Sequence, residues 1–220
     1  FTRAELVDAG TVAAALAPVL AGLVRARASC LITGATGTGK TTLLAALLSL
    51  VPPTERIVCI EEASELRPDH PHVIHLQERG RNVQGVGAVT MTALVRTALR
   101  MRPNRIVLGE CRGPAVRDVL TALNTGHEGG WATLHANSTA DVPARLTAQG
   151  ALAGMEGTTG AAQASSALDA VVHLRRERTP SGAVRVVASV GVRGRRPGGG
   201  AIVCEEALRR RPDGAAPPRR

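Results

Sequence analysis

Aromatic side chains are nearly missing from this chain: Phe1 and Trp131 are the only two, and there is no tyrosine. A protein that holds single-stranded nucleic acid by stacking bases needs a platform of such rings, so that mode of binding is excluded. Paired cysteines are missing as well. Cys30, Cys59, Cys111 and Cys204 are widely separated, form no CxxC pair and mostly sit in apolar runs. They read as small buried hydrophobes in a reducing cytoplasm. Long hydrophobic runs are also absent. The longest apolar uncharged stretch, residues 9–24, is broken by Pro18 and falls short of a membrane span, and no charged leader with a small-residue cleavage site is present. The expectation is an untargeted, soluble chain with no direct membrane insertion.

What is present is enough for one core. At 220 residues and 44% hydrophobic content, the chain fits a single domain with appendages. It opens on Phe1 inside a helix-like stretch, which reads as a fragment of a longer protein with something N-terminal to it. The formal charge of +9 is unevenly placed: residues 1–170 carry 15 basic and 14 acidic side chains, and residues 171–220 carry 12 and 4. The body is therefore neutral and the tail basic. Glycine and proline near residues 197–200 and 217–218 suit a solvated end, although the same charge would also meet phosphates or anionic lipid.

The strongest signal is the run ASCLIT, residues 28–33, followed by GATGTGKT and then by TLLAALLSLV. A short apolar strand, a glycine loop and an apolar helix form the context in which GxxxxGK(S/T) binds phosphates. Gly34, Gly37 and Gly39 let the backbone turn so that N–H groups of Ala35, Thr36, Thr38 and their neighbours face the phosphates, and the helix start adds its dipole. Lys40 reaches the β and γ phosphates, Thr41 ligates magnesium, and Thr42 continues the cradle. Lys40 is also the only lysine, against 26 arginines. A compact point charge is wanted there, where a planar guanidinium fork would not fit. Residues 34–42 are thus expected to bind ATP with Mg2+.

Further strands follow. RIVCI, residues 56–60, ends at Glu61 and Glu62; HVIHL, residues 72–76, comes next; RIVLG, from Arg105, ends at Glu110. Met91, Leu94, Val95, Ala98 and Leu99 recur at helical spacing between the last two. In doubly wound sheets ligands collect at the carboxyl ends of strands, so Glu61 and Glu110 face the nucleotide. Glu110 is placed to polarise the attacking water or to hold magnesium through water, and Glu61 is a second carboxylate that could do the same. The Gly-rich NTGHEGGWATLHAN, residues 124–137, leads into a strand at Trp131 and carries His127 and His135, either of which could donate a hydrogen bond to a γ-phosphate. Residues 143–155 and 161–176 read as two helices, TPSG at residues 179–182 as a turn, and residues 184–192 and 201–204 as closing strands.

Together GATGTGKTTLL, RIVCIEEASEL, LRMRPNRIVLGECRG and NTGHEGGWATLHANS resemble the secretion and pilus-assembly ATPases of the type II/type IV secretion superfamily, most of all the Tad/Flp pilus-assembly subgroup. The resemblance covers about residues 1–174. It implies an α/β, RecA-like P-loop fold with a mostly parallel sheet flanked by helices and a small strand-rich C-terminal end. Residues 1–27 would be a helical lead-in, 28–192 the ATPase domain, and 193–220 a basic tail with one short strand. It further implies a homo-hexamer in the cytoplasm at the inner face of the cell membrane, ATP hydrolysis, and an inner-membrane platform protein as partner. Residues 34–42 match the Walker A element, Glu61 and Glu62 the aspartate box, Gly109 and Glu110 the Walker B, and His127 and His135 the histidine box. The family usually has Asp where this chain has Glu62 and Asn104, and often Glu where it has Ala115. Of the arginines Arg79, Arg81, Arg96, Arg100, Arg102 and Arg112, one could stabilise charge in cis or across a ring interface, and Arg112 beside Glu110 is taken as the catalytic candidate. Two other readings stand beside the motor: a nucleic-acid-dependent RecA-like motor, which the neutral body and missing aromatics disfavour, and an ATP-binding assembly protein that does not hydrolyse.

Overall fold

The computed structural model describes residues 1–81, 83, 87–155, 157–179, 182–194 and 203–210. Two short helices come first, α1 (Arg3–Asp8) and α2 (Ala17–Arg25). Thr2 and Glu5 form a reciprocal capping box at the start of α1, and Pro18 sits in the first turn of α2, where its missing N–H costs nothing. The chain then alternates: β1 (Cys30–Thr33), α3 (Lys40–Leu48), β2 (Ile57–Glu61), β3 (Val73–Gln77), α4 (Met91–Arg100), β4 (Arg105–Leu108), α5 (Ala115–Asn124), β5 (Trp131–Leu134), α6 (Val142–Leu152) and α7 (Gly157–Ala167). Three longer strands finish it: β6 (Ala170–Thr179), β7 (Gly182–Gly194) and β8 (Val203–Arg209).

All eight strands form one sheet in the order β3-β2-β4-β5-β1-β6-β7-β8. Pairing is parallel from β3 through β6 and antiparallel between β6, β7 and β8. The central strands β1, β2, β4 and β5 are buried at every position, as expected of parallel strands covered on both faces. Successive side chains point to opposite faces. Cys30 and Ile32 of β1 and Ile57 and Cys59 of β2 join Leu20, Leu43 and Leu47 on the side of α1 to α3. Leu31, Val58 and Ile60 join Leu94, Val116 and Leu146 on the side of α4 to α7. Leu6, Val12 and Leu16 of the first 27 residues are buried in the same cluster as Leu43 and Leu47 of α3. Burial pushes the thiols of Cys59 and Cys111 up to about 12, so both behave as small apolar groups.

The helix expected over residues 161–176 is corrected. The α7 helix stops at Ala167, Asp169 follows, and Ala170 begins β6. The alanine-rich half has helix-forming composition, but Val171 and Val172 are β-branched and lie in parallel register against Leu31 and Ile32 of β1. The β6 and β7 strands pair through Thr179 and Gly182; Pro180 and Ser181 of the expected turn lie outside the described residues, as do 201–202 of the last strand and 195–200 and 211–220 of the tail. Among the described residues no helix is long and apolar enough to cross a membrane.

Candidate nucleotide site

The parallel strands β1, β2, β4 and β5 all point their carboxyl ends at one edge of the sheet, and the motif residues collect there. After Thr33 the chain turns through residues 34–39, and α3 begins at Lys40. Gly39 is the helix N-cap at φ +92°, a left-handed conformation that a side chain would strain. Gly34 lies hard against the Leu174 carbonyl of β6, where a methyl group would collide. No side chain caps α3, so the N–H groups of its first turn open onto a cleft of about 260 Å³ with the helix dipole behind them.

Lys40 is buried, 8% exposed, at the cleft floor. Its Nζ donates to the carbonyl oxygens of Gly34 at 3.0 Å and Ala35 at 3.1 Å, and stands 3.4 Å from His135 Nδ1. Burial draws its pKa below the ordinary lysine value, and the Glu110 carboxylate acts in the opposite direction. His135 continues the line, with Nε2 3.5 Å from Glu110 Oε1. Because an ammonium can only donate, Nδ1 is the acceptor and Nε2, on the side of Glu110, carries the ring proton. Thr133 of β5 donates its hydroxyl to the Gly109 carbonyl and so fixes the turn that presents Glu110.

Glu61 ends β2 and lines the same cleft, but its carboxylate is largely engaged. Oε1 accepts from the N–H groups of Glu65 at 3.0 Å and Leu66 at 2.8 Å, and Oε2 lies 3.4 Å from His75 Nδ1. It holds the segment after β2 in place. Thr36, Gly37 and Thr41 line the cleft, while Ala35 and Thr38 face a second one and Thr42 is half-buried behind. The Thr38 hydroxyl donates to Ala35 O at 2.8 Å, within the loop. Arg112 is at the rim, exposed and paired with Glu62 rather than lining the cleft.

His127 lies away from this cleft. The four residues of β5 separate it from His135, about 13 Å of strand, so the two histidines flank opposite ends of the sheet. His127 is half-buried with its backbone N–H on Ala122 O, and its Nδ1 has no partner among the described residues. It does not reach the cleft of its own chain.

Sequence reasoning missed three contributors. Thr33 Oγ1 meets the buried His173 Nδ1 at 2.9 Å, Thr133 braces Gly109, and Arg185 of β7 donates from Nε to the Gly37 carbonyl at 3.0 Å. All three are contacts across the sheet or along its edge, and no local motif announces them. The departures from the family pattern also have places. Asn104 Oδ1 accepts from Arg56 N at 2.8 Å at the far edge of the sheet, and Ala115 is 1% exposed, where a glutamate would be buried among apolar groups.

The site suits a nucleotide phosphate: glycine backbone at left-handed φ, an uncapped helix start, and an ammonium whose present partners are two loop carbonyls and the His135 ring. Among the described residues no cluster of three or more His, Cys, Asp or Glu could hold a metal by protein ligands alone.

Comparison with known proteins gives the family and the fold. A "Putative conjugal transfer protein" of Mycobacterium tuberculosis is 53% identical over 175 residues, covering 80% of this chain and 50% of that protein. "Type IV secretion system protein PtlH" of Bordetella pertussis is 46% identical over 129 residues, 56% of this chain and 37% of that protein. This chain thus spans half or less of the length of these relatives. Among solved structures, the VirB11 ATPase of the Brucella suis type IV secretion system matches with TM-score 0.68 and 28% identity over 86% of this chain and 54% of that one. The pilus retraction motor PilT with bound ADP matches with TM-score 0.61 and 28% identity over 79% and 49%. The RecA-like P-loop fold is shared with both. With residues 1–214 matching the family described as "Type II/IV secretion system protein", this chain belongs to that family.

Proposed function

We propose that this chain is the nucleotide-binding part of a motor ATPase for pilus assembly or secretion, closest to the Tad/Flp subgroup, acting as a homo-hexamer on an inner-membrane platform protein at the cytoplasmic face. One observation carries the reading: the only lysine of the chain sits at the start of an uncapped helix and joins through His135 to Glu110, the carboxylate across the cleft.

In this reading the first turn of α3 and Lys40 grip the phosphates, and the Thr41 hydroxyl helps hold Mg2+. The metal, when bound, neutralises phosphate charge. Glu110 orients the attacking water and takes its proton, and His135, 3.5 Å away, helps aim that carboxylate. Arg112, tied to Glu62 at the rim, is available to a neighbouring subunit's nucleotide only after that pair opens.

The test is nucleotide binding and turnover side by side. Lys40→Ala is expected to weaken Mg-ATP binding at least about a hundredfold, since the amine is the one ammonium on the phosphates. Glu110→Gln should bind ATP as wild type does but retain it unhydrolysed, with turnover reduced by roughly a hundredfold or more. Unchanged hydrolysis and dwell time in Glu110→Gln would sink the catalytic assignment and leave an ATP-binding assembly protein.

A further inference from the structure

The phosphate loop is a thin partition between two clefts. Thr36 and Gly37 face the nucleotide cleft, and Ala35 and Thr38 line a second one of about 500 Å³ bordered by His173, Arg176 and Arg178 of β6. A backbone with open space on both sides is shaped less by packing than by the hydrogen bonds on its carbonyls. Among the described residues, Lys40 and Thr38 supply those on Gly34 and Ala35, and both belong to the loop or its helix. The bond on Gly37 comes from 148 residues away, from Arg185 Nε at 3.0 Å.

Arg185 is well placed to act on the loop as a unit. It sits on β7 opposite Arg176 of β6, and β6 itself abuts the loop through the Leu174 carbonyl at Gly34 and through His173 at Thr33. The ladder between β6 and β7 shifts register between His173 and Leu174, beside this contact. The Arg185 stem also runs past the helix cap: a methyl group on Gly39 would stand 3.4 Å from its Cδ. Across a planar trans peptide, C=O and N–H point opposite ways. Holding Gly37 O toward Arg185 therefore turns the Thr38 N–H inward, where it now meets Ala35 O at 3.4 Å.

We propose that Arg185 is a positioning residue of the phosphate loop, keeping it open and its N–H groups turned inward when Lys40 leaves the Gly34 and Ala35 carbonyls for nucleotide phosphates. This rests on the nucleotide-binding reading above. Arg185 touches the loop and not the reacting atoms, so its loss should act on nucleotide affinity rather than on the chemical step.

The experiment compares Arg185→Ala, Arg185→Gln and Arg185→Lys in the full 220-residue chain by titration with a fluorescent ATP analogue and with Mg-ADP. Gln places an amide N–H at the same position along the side chain as Arg Nε but without charge. Arg185→Ala is expected to weaken both nucleotides roughly three- to tenfold, and Arg185→Gln to stay within about twofold of wild type. Should Gln be as weak as Ala while Lys binds normally, the residue acts by charge alone and the positioning role falls. It falls equally if Ala binds as wild type does. Amide hydrogen exchange of residues 37–40 without nucleotide is the second measurement: exchange should quicken in Ala and not in Gln, and identical protection in all variants would overturn the proposal. A wild-type chain that bound no nucleotide would instead sink the nucleotide reading, and the exchange comparison would still judge Arg185.

Discussion

Lys40 has to be charged in a place that resists charge. Burial draws its pKa below 10.5, and the Glu110 carboxylate leans the other way. Phosphate binding requires the ammonium, so affinity for ATP should be flat below the pKa of the free loop and fall by up to tenfold per pH unit above it. The fall therefore begins below pH 10.5. Because Glu110 raises the Lys40 pKa, Glu110→Gln should move the onset to lower pH, and binding titrations from pH 7 to 10 would show it; an onset that moves upward would contradict the pairing of these two groups. The loop residues were legible in the sequence because phosphate chemistry demands glycines, an ammonium and a hydroxyl at fixed spacing. His127 was not, since two histidines eight residues apart look like a pair until the strand between them puts them at opposite ends of the sheet. Arg185 was not either, because its partner is a backbone carbonyl far away in the chain.

The strands are tied together at the edge opposite the cleft. Glu55 accepts from Arg105 Nε at 2.6 Å and from Arg27 Nη1 at 3.1 Å, and Arg27 reaches the Asn104 carbonyl at 2.7 Å. These bonds join the ends of α2, the entry to β2 and the start of β4. Burial pushes the Glu55 carboxyl up, but the hydrogen bonds and charges of Arg105 and Arg27 outweigh it and hold it below its ordinary value. A carboxylate with a depressed folded pKa contributes stability above its unfolded value of 4.5, and that contribution is lost as pH falls through the folded pKa. Glu55→Ala strands the 1%-exposed Arg105 and should cost about 3 kcal/mol at neutral pH. In urea titrations the variant should also lose less stability than wild type between pH 5 and 3; an identical acid limb would show that Glu55 contributes nothing there. The short elements β1, β2, β4 and α3 were readable from apolar runs and their polar stops. The β6 strand was not, because its partner β1 lies 140 residues earlier and only that pairing makes a strand of a stretch that follows an alanine-rich helix.

At the scale of the whole molecule, charge is nearly balanced through residue 170 and strongly positive beyond it. The neutral body and the two aromatic residues give little on which to stack bases, so the motor reading predicts an ATPase rate that added nucleic acid does not raise. If the chain works as a ring, light scattering with Mg-ATP should report a hexamer and specific ATPase rate should rise with protein concentration; a hydrolysing monomer with a constant specific rate would count against it. The solitary lysine has one more consequence. An endoprotease that cuts only after lysine has a single susceptible bond in all 220 residues, between Lys40 and Thr41, in the first turn of α3. Backbone there must open before it can enter a protease, so one cleavage, separating β1 from the strands that follow it, follows every opening that frees the start of α3, and its rate sets an upper limit on local unfolding of the phosphate loop.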